Sequence, residues 1–253
     1  MKLEGKNAVI TGGGTGIGEE TALLFAREGA NVLINGRTES SLRNVVEKAA
    51  AEGLQIEYIV ADISGNTGCE QTVKAAIDKF GSIDILFNNA GVLYPGITHE
   101  TDIEMFQRTM DINVKGTFMM SKYTIPCMIE KGMGCIVNNS SVVGSKGFVG
   151  LAAYATSKGA VTQLTRSMAL EYADKGIRVN AVCPGTIHTP MVDRYYERSE
   201  DLKAAEERIV SFHPVGRIGM NSEIAHAVLF LCDDSVGFMT GSLLFVDGGF
   251  NAK

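Results

Sequence analysis

Asn7-Ala-Val-Ile-Thr-Gly-Gly-Gly-Thr-Gly-Ile-Gly18 decides the fold. Its first five residues, Asn7 to Thr11, read as a short buried strand, and Glu19 to Glu28 carries helical periodicity. The turn between them holds five glycines in the seven residues Gly12 to Gly18. A strand, a glycine-rich turn and a helix make a phosphate site. Small residues let the backbone approach a pyrophosphate, and the helix N-terminus offers free N–H groups and the positive end of its dipole. The positions that matter are Gly12, Gly16 and Gly18, with Thr15 and Ile17 between them. This Thr-Gly-x-x-x-Gly-x-Gly spacing differs from the commoner Gly-x-Gly-x-x-Gly fingerprint. A tight turn with no ligand is the plainer alternative.

Outward from this stretch, strands and helices alternate. Asn31 to Asn35 is a second strand, whose end should lie near the adenosine ribose of a dinucleotide. An acidic residue there would favour NAD. The chain instead reads Gly36-Arg37, and a guanidinium suits a 2′-phosphate, so NADP(H) is favoured with NAD(H) as the alternative. Arg37 could equally stack on adenine or face solvent. Thr38 to Gly53 is a helix with Thr38 as its N-cap, and Gln55 to Val60 is the third strand. Asp62-Ile63 follows, where Asp62 either binds an adenine amino group or caps the next helix, Thr67 to Phe80. Ile83 to Phe87 is the fourth strand, ending in Asn88-Asn-Ala-Gly91, whose small and amide residues permit contact with a ribose and fix neighbouring strands.

Tyr94 to Thr101 is a loop, and Asp102 to Lys131 is a long, mostly helical stretch that places a polar amide, Asn113, inside a helical pattern. Gly134 to Asn138 is the fifth strand, ending at Asn139-Ser-Ser141; Val142 to Leu151 is a glycine-rich loop; Ala152 to about Lys175 is a helix. Ile177 to Val182 is the sixth strand, stopped by Cys183-Pro184-Gly185. The segment from about 188 to 214 is polar and reads as one or two short helices forming a lid, or as a hairpin packed on a neighbouring subunit. Met191, Tyr195, Tyr196 and Phe212, with Phe148 from the glycine-rich loop, suggest a partly apolar pocket. Ser222 caps a helix to Leu231, and Ser242 to Val246 is the seventh strand, before Asp247-Gly-Gly249. The alternation predicts one domain over 1–253, doubly wound around a parallel sheet.

Tyr154 and Lys158 lie four residues apart on a helix, and so on one face. A phenol titrates near pH 10, too high for easy acid–base work at neutrality. A nearby ammonium favours the phenolate and lowers that pKa, which lets the Tyr exchange a proton with an alcohol or alkoxide. Ser141, at a strand tip, can face the same cleft and hold a substrate carbonyl for hydride attack.

Net charge is −6, which argues against nucleic acid or an anionic membrane as the main partner. No apolar run reaches transmembrane length, and the amino-terminal residues lead straight into a strand without a leader pattern; a cytoplasmic location is the expectation. The five cysteines are odd in number and have no Cys-x-x-Cys pair, and the four histidines are dispersed, so neither a disulfide framework nor a metal site is expected.

Taken in order, Thr11-Gly-Gly-Gly-Thr-Gly-Ile-Gly18, Asp62, Asn88-Asn-Ala-Gly91, Asn113, Ser141, Tyr154-x-x-x-Lys158, Pro184-Gly185 and Asp247-Gly-Gly249 resemble the short-chain dehydrogenase/reductase family over essentially the whole chain. The resemblance implies a Rossmann-like sheet of seven strands with helices on both faces, a nicotinamide cofactor, and hydride transfer between C4 of the nicotinamide and a carbonyl or carbinol carbon. It implies Tyr154 as general acid/base and Lys158 as the residue that lowers its pKa and bonds the nicotinamide ribose. Ser141 matches the donor to the substrate carbonyl, and Asn113 the holder of a proton-relay water. Gly12, Gly16, Ile17 and Gly18 match the pyrophosphate loop; Asp62 and Ile63 the adenine site; Asn89, Ala90 and Gly91 the ribose side. Ile187 and Thr189, after Pro184-Gly185, match the segment that bonds the carboxamide. Members preferring NADP often carry a basic residue near Thr15; this one is neutral, leaving 2′-phosphate recognition mostly to Arg37. The family suggests a homotetramer, or a dimer, for which the face Met110 to Met128 and the ending Phe245 to Phe250 are candidate interfaces, though core burial explains them as well. A catalytically silent NAD(P)-binding regulator, or an epimerase or dehydratase on the same fold, are the rival functions. The substrate is a carbonyl or alcohol of unspecified class: a 3-oxoacyl thioester, a polyol, a steroid and a small cyclic ketone all fit.

Overall fold

The computed structural model describes residues 1–196 and 201–252, and for 194–196 the backbone alone. Seven strands form one parallel sheet: β1 (Asn7–Thr11), β2 (Asn31–Gly36), β3 (Ile56–Val60), β4 (Ile85–Asn88), β5 (Gly134–Asn139), β6 (Ile177–Pro184) and β7 (Leu243–Val246). Their order is β3-β2-β1-β4-β5-β6-β7. The strand order reverses beside β1, which pairs with β2 on one side and β4 on the other. A crevice opens there at the carboxyl ends of the strands, where doubly wound sheets bind ligands.

Both faces of the sheet are covered, because successive strand residues point to opposite sides. In β1, Ala8 and Ile10 join the layer of α1 (Gly16–Arg27), α2 (Glu39–Ala51) and α9 (Asn221–Cys232), through Phe25, Leu42 and Val228. Val9, between them, joins the opposite layer of α3 (Asn66–Phe80), α5 (Thr117–Lys131) and α6 (Ala152–Tyr172), through Val73, Met120, Met128 and Met168. The methionines Met120 and Met128 are therefore core residues, while Phe118 and Ile129 of the same helix face solvent.

The structure amends several expected boundaries. The helical stretch from 102 to 131 is three pieces: α4 (Ile103–Met110), a π-helical turn (Asp111–Gly116), and α5. Asp102 caps α4 by accepting from the Glu104 N–H at 2.7 Å. Strand β6 is not stopped at Cys183 but runs on to Pro184, opposite Val246. Proline ends it by lacking an N–H, and the next amide, Gly185, donates to Val246 O at 3.0 Å. Ser222 is not the cap of α9: Met220 holds that position, and the Glu223 carboxylate accepts its N–H at 2.8 Å. Thr38 does occupy the N-cap position of α2, without a capping bond from its hydroxyl. The segment after β6 contains two helices, α7 (Pro190–Tyr196) and α8 (Leu202–Ser211). No helix among the described residues is long and apolar enough to cross a membrane.

Candidate active site

The glycine turn is pressed against the end of β4. Gly12 has φ +64°, and a Cβ there would lie 2.9 Å from Ala90 Cα. A Cβ on Gly18 would lie 2.2 Å from the Gly12 carbonyl oxygen and 2.6 Å from Asn89 Nδ2. Side-chain hydrogen bonds fasten this contact. Thr11 Oγ1 accepts from the N–H groups of Asn89 and Ala90, and Asn89 Nδ2 donates to the carbonyls of Thr11 and Gly12. Asn139 Nδ2, from β5, donates to Asn89 Oδ1 at 2.9 Å. The side chain of Asn89 thus ties three strand ends together. Helix α1 starts at Gly16, with Thr15 exposed at its cap and making no capping bond, so first-turn N–H groups are left for a ligand.

A cleft of about 500 Å³ runs from this turn across the sheet. Gly12, Thr15, Gly16, Ile17, Arg37, Asp62, Ile63, Asn89, Ala90 and Gly91 line one half; Ser141, Tyr154, Lys158, Pro184, Gly185, Ile187 and Thr189 line the other. Gly18 and Asn113 stand behind its wall. Two buried acceptors near it, Asn139 Oδ1 and Asn221 Oδ1, have no partner among the described residues. Asn139 lines the cleft, and Asn221 Oδ1 is 3.8 Å from where a Gly16 Cβ would stand. A small-residue cradle with first-turn amides and unpaired polar atoms fits a dinucleotide.

At the end of β2, Arg37 Nη1 is 3.9 Å from Asp62 Oδ2, both side chains about half exposed. Asp62 does not cap α3, whose N-cap is Gly65. Its Oδ1 accepts from Ser64 N–H at 2.9 Å instead. Partial burial opposes ionisation, but the bonds from Ser64 and the charge of Arg37 prevail and hold the carboxyl below its ordinary value. Asp62 is therefore an anionic acceptor beyond the end of β3.

Helix α6 presents Tyr154 and Lys158 one turn apart, with Lys158 Nζ 5.5 Å from the centre of the Tyr154 ring. Lys158 is 4% exposed and donates to Asn139 O at 2.7 Å. Loss of water takes its pKa down to about 8, a shift that Cys183 opposes. Burial pushes Tyr154 up to about 12, against the pull of the Ser141 hydroxyl. The expected lowering of the phenol by the ammonium is thus absent from this structure. Lys158 is buried and Tyr154 half-buried, and the ammonium is directed at the Asn139 carbonyl, so loss of water is the larger influence on both. Ser141 Oγ accepts from Val143 N–H at 3.4 Å, and its hydroxyl also faces the Tyr154 phenol.

Asn113 sits in the π turn, a feature concentrated at functional sites. Its Oδ1 accepts from Val92 N–H at 2.8 Å, and its Nδ2 donates to Val92 O and to Ser157 Oγ. The polar amide inside a helix is explained: it clamps the chain after β4 to α6. That chain is held close, since a Cβ on Gly91 would lie 3.3 Å from Asn113 Oδ1 and 3.5 Å from Lys158 Nζ.

Beyond Tyr154 the wall turns apolar. Phe148, Met191, Val192, Ile209, Phe212 and Phe250 line it. Phe148 and Phe212 meet edge to face with centroids 5.2 Å apart, as do Phe212 and Phe250 at 6.2 Å. The expected pocket contributions of Tyr195 and Tyr196 lie outside the described side chains. Three further participants escaped the sequence reading in these roles: Thr11, Asn139 and Phe250. For Asn139 a signal existed, the Asn-Asn pair that ends both β4 and β5 in matching register. For Phe250 there was none, because its ring partner Phe212 is remote in sequence.

Comparison with known proteins agrees with this geometry. A family model described as enoyl-(acyl carrier protein) reductase matches residues 12–251. An uncharacterized oxidoreductase of Thermotoga maritima is 42% identical over 252 residues, covering all of both chains. Cyclohexanol dehydrogenase of an Acinetobacter species is 37% identical over 253 residues, covering 100% of this chain and 97% of its own. The crystal structure of levodione reductase superposes with a TM-score of 0.93 at 35% identity, covering 99% of each chain.

Proposed function

The chain belongs to the short-chain dehydrogenase/reductase family, and from that premise we propose that it is an NAD(P)-dependent oxidoreductase that interconverts a ketone and a secondary alcohol. The observation that carries this reading is the meeting of Ser141, Tyr154 and Lys158 in one cleft with the glycine turn. A nicotinamide cofactor bound there supplies or accepts the hydride. Gly12, Gly16, Ile17 and Gly18 shape the pyrophosphate site; Asp62 and Ile63 hold the adenine; Ala90 and Gly91 admit the ribose; Ile187 and Thr189 bond the carboxamide. In the reducing direction Ser141 donates a hydrogen bond to the carbonyl oxygen. Tyr154 gives that oxygen its proton as the carbon is reduced, and the Lys158 ammonium stabilises the phenolate left behind. Arg37 recognises a 2′-phosphate, so NADP(H) is the preferred cofactor. Its contact with Asp62 is long and exposed, which leaves the guanidinium free to turn to a phosphate.

The one domain, 1–253, carries a lid from about 188 to 214. The substrate is a compact hydrocarbon ketone or alcohol, of the kind for which the Acinetobacter relative is named. The wall beyond Tyr154 is aromatic and aliphatic, and a polyol would leave hydroxyls unpaired against it at about 1–3 kcal/mol each. Exposed apolar residues on α4, α5 and α6 (Ile103, Phe118 and Leu170), and Phe238 before β7, support a homotetramer. A cytoplasmic location completes the reading. The test is oxidation of NADPH and NADH by the purified protein with cyclohexanone, 2-butanone, a 3-oxoacyl thioester and a ketose. Net cofactor oxidation with the ring ketone is expected. Silence with every substrate while cofactor binds would favour a regulator, and turnover without net redox an epimerase or dehydratase.

A further inference from the structure

His213 follows α8 and is 4% exposed. Both ring nitrogens are engaged by backbone. Nδ1 is 2.9 Å from the carbonyl oxygen of Ile209, in the lid helix α8. Nε2 is 3.0 Å from the backbone nitrogen of Thr186, which leads into the carboxamide segment. A backbone N–H can only donate, so Nε2 is the acceptor and Nδ1 carries the hydrogen. This fixes one neutral tautomer. The ring also packs against the turn after β7, with the Phe250 ring centre 5.7 Å away, and comes so close to Gly185 that a Cβ there would lie 2.8 Å from Nε2. One side chain thus joins the lid, the carboxamide segment and the carboxyl-terminal aromatic wall.

We propose that His213 is a positioning residue, which in its neutral Nδ1–H form holds the lid helix against Thr186 and so sets Ile187 and Thr189 for the nicotinamide. The assignment rests on the reading of those two residues given above. The neighbouring backbone bonds of the segment, from Gly219 to Thr186 O and from His188 to Gly219 O, tie it to the chain before α9. The His213 bond ties it to the end of the lid helix α8. A second proton on the ring would put an N–H at Nε2, facing the N–H of Thr186. Among the described residues the nearby carboxylates are engaged elsewhere. The charged groups on the adjoining cavity of about 120 Å³ are Arg217, Glu223 and Asp247. Arg217 and Glu223 pair with each other at 2.7 Å, and Asp247 accepts from Gly249 and Asn251 N–H. Protonation therefore breaks the link.

Two substitutions separate this role from packing. His213→Gln reaches Thr186 with an amide oxygen; His213→Asn is one bond shorter and can keep only the bond to Ile209. Kd for NADPH and NADH is measured by fluorescence titration at pH 7, with Tm and kcat recorded. His213→Asn is expected to weaken cofactor binding about tenfold and His213→Gln less than about threefold, at similar Tm and with kcat at saturating cofactor within about twofold. Equal behaviour of the two variants overturns the proposal, and a loss in His213→Gln as large as about tenfold overturns it even if His213→Asn fails to fold. Failure of the wild type to bind either cofactor overturns the reading of the cleft itself, and this assignment with it.

Discussion

The two halves of the cleft are built by different means. The dinucleotide half is set by backbone and buried amides: glycines that admit no Cβ, Thr11 and Asn89 bonding main chain, and strand ends laced by Asn139. The substrate half is set by rings carried on three separate segments, Phe148, Phe212 and Phe250. The first rests on backbone contacts that leave no room for a side chain, and tolerates little change. The second rests on side-chain rings, and can be re-lined without disturbing the sheet. Tyr154 and Lys158 lie on the boundary between them.

Substitution at that boundary should have the largest effect. Tyr154→Phe is expected to lower kcat by about 10²- to 10⁴-fold, the usual worth of a general acid, with cofactor Kd unchanged. Near-normal turnover would break the division by removing its junction. Next comes the rigid half. Gly18→Ala puts a methyl group 2.2 Å from a carbonyl oxygen, and overpacking of this kind costs about 1–3 kcal/mol. Calorimetry should show a lower Tm, and titration a weaker cofactor complex; an unchanged protein would show that the turn is more pliable than its contacts imply. Arg37→Ala should reduce NADPH affinity by roughly 10- to 100-fold, the worth of a charge-assisted bond, and leave NADH affinity alone. Equal loss for both cofactors would make Arg37 an adenine contact.

Phe212→Ala sharpens the contrast from the other side. It should lower kcat/KM for a ring ketone by about tenfold, on the scale of a lost aromatic pair, with cofactor Kd and sheet stability intact. A fall in cofactor affinity instead would mean that the halves are coupled. The smallest effect is a pH limb. The folded Lys158 titrates near 8, below its ordinary 10.5. The ammonium needed to stabilise the phenolate is present below pH 8, so kcat/KM for reduction should fall as pH rises through about 8. The stability consequence has the opposite sign. Burying the charge is a penalty fully present below pH 8, and it is relieved as pH rises from 8 towards 10.5, because the unfolded chain then holds more protons. A reduction rate flat across pH 7 to 9 would show that Lys158 stays charged in the working complex.

The same contrast explains how much could be read from sequence. All seven strands and their parallel, doubly wound arrangement were legible, since buried strands bounded by glycine and amide residues alternate with helical periodicity. Residues named from the sequence at strand ends and in the glycine turn, such as Gly12, Gly16, Asn89 and Ala90, do line one cleft. What escaped was tertiary. The cap of α9 fell to Met220 because Glu223, three residues on, turned back to its N–H, and Ser222 was two places too late. The upward push of burial on Tyr154 was not legible because spacing reveals the neighbouring charge but not the loss of water. His213 looked like any dispersed histidine, since Thr186 and Gly185 lie some 27 positions upstream.

The π turn at Asp111–Gly116 has a consequence of another kind. A helix turns by about 100° for each residue, so the widened turn acts as a register mark between α4 and α5. Loss of a single codon in this stretch would restore a regular helix and swing Asn113 about 100° away from Val92 and Ser157. The loop around Val149, exposed and unconstrained by comparison, could lose one with little harm. Length variation among descendants of this sequence is therefore expected to collect in that loop and to spare the helix, a pattern set by geometry before any selection on chemistry.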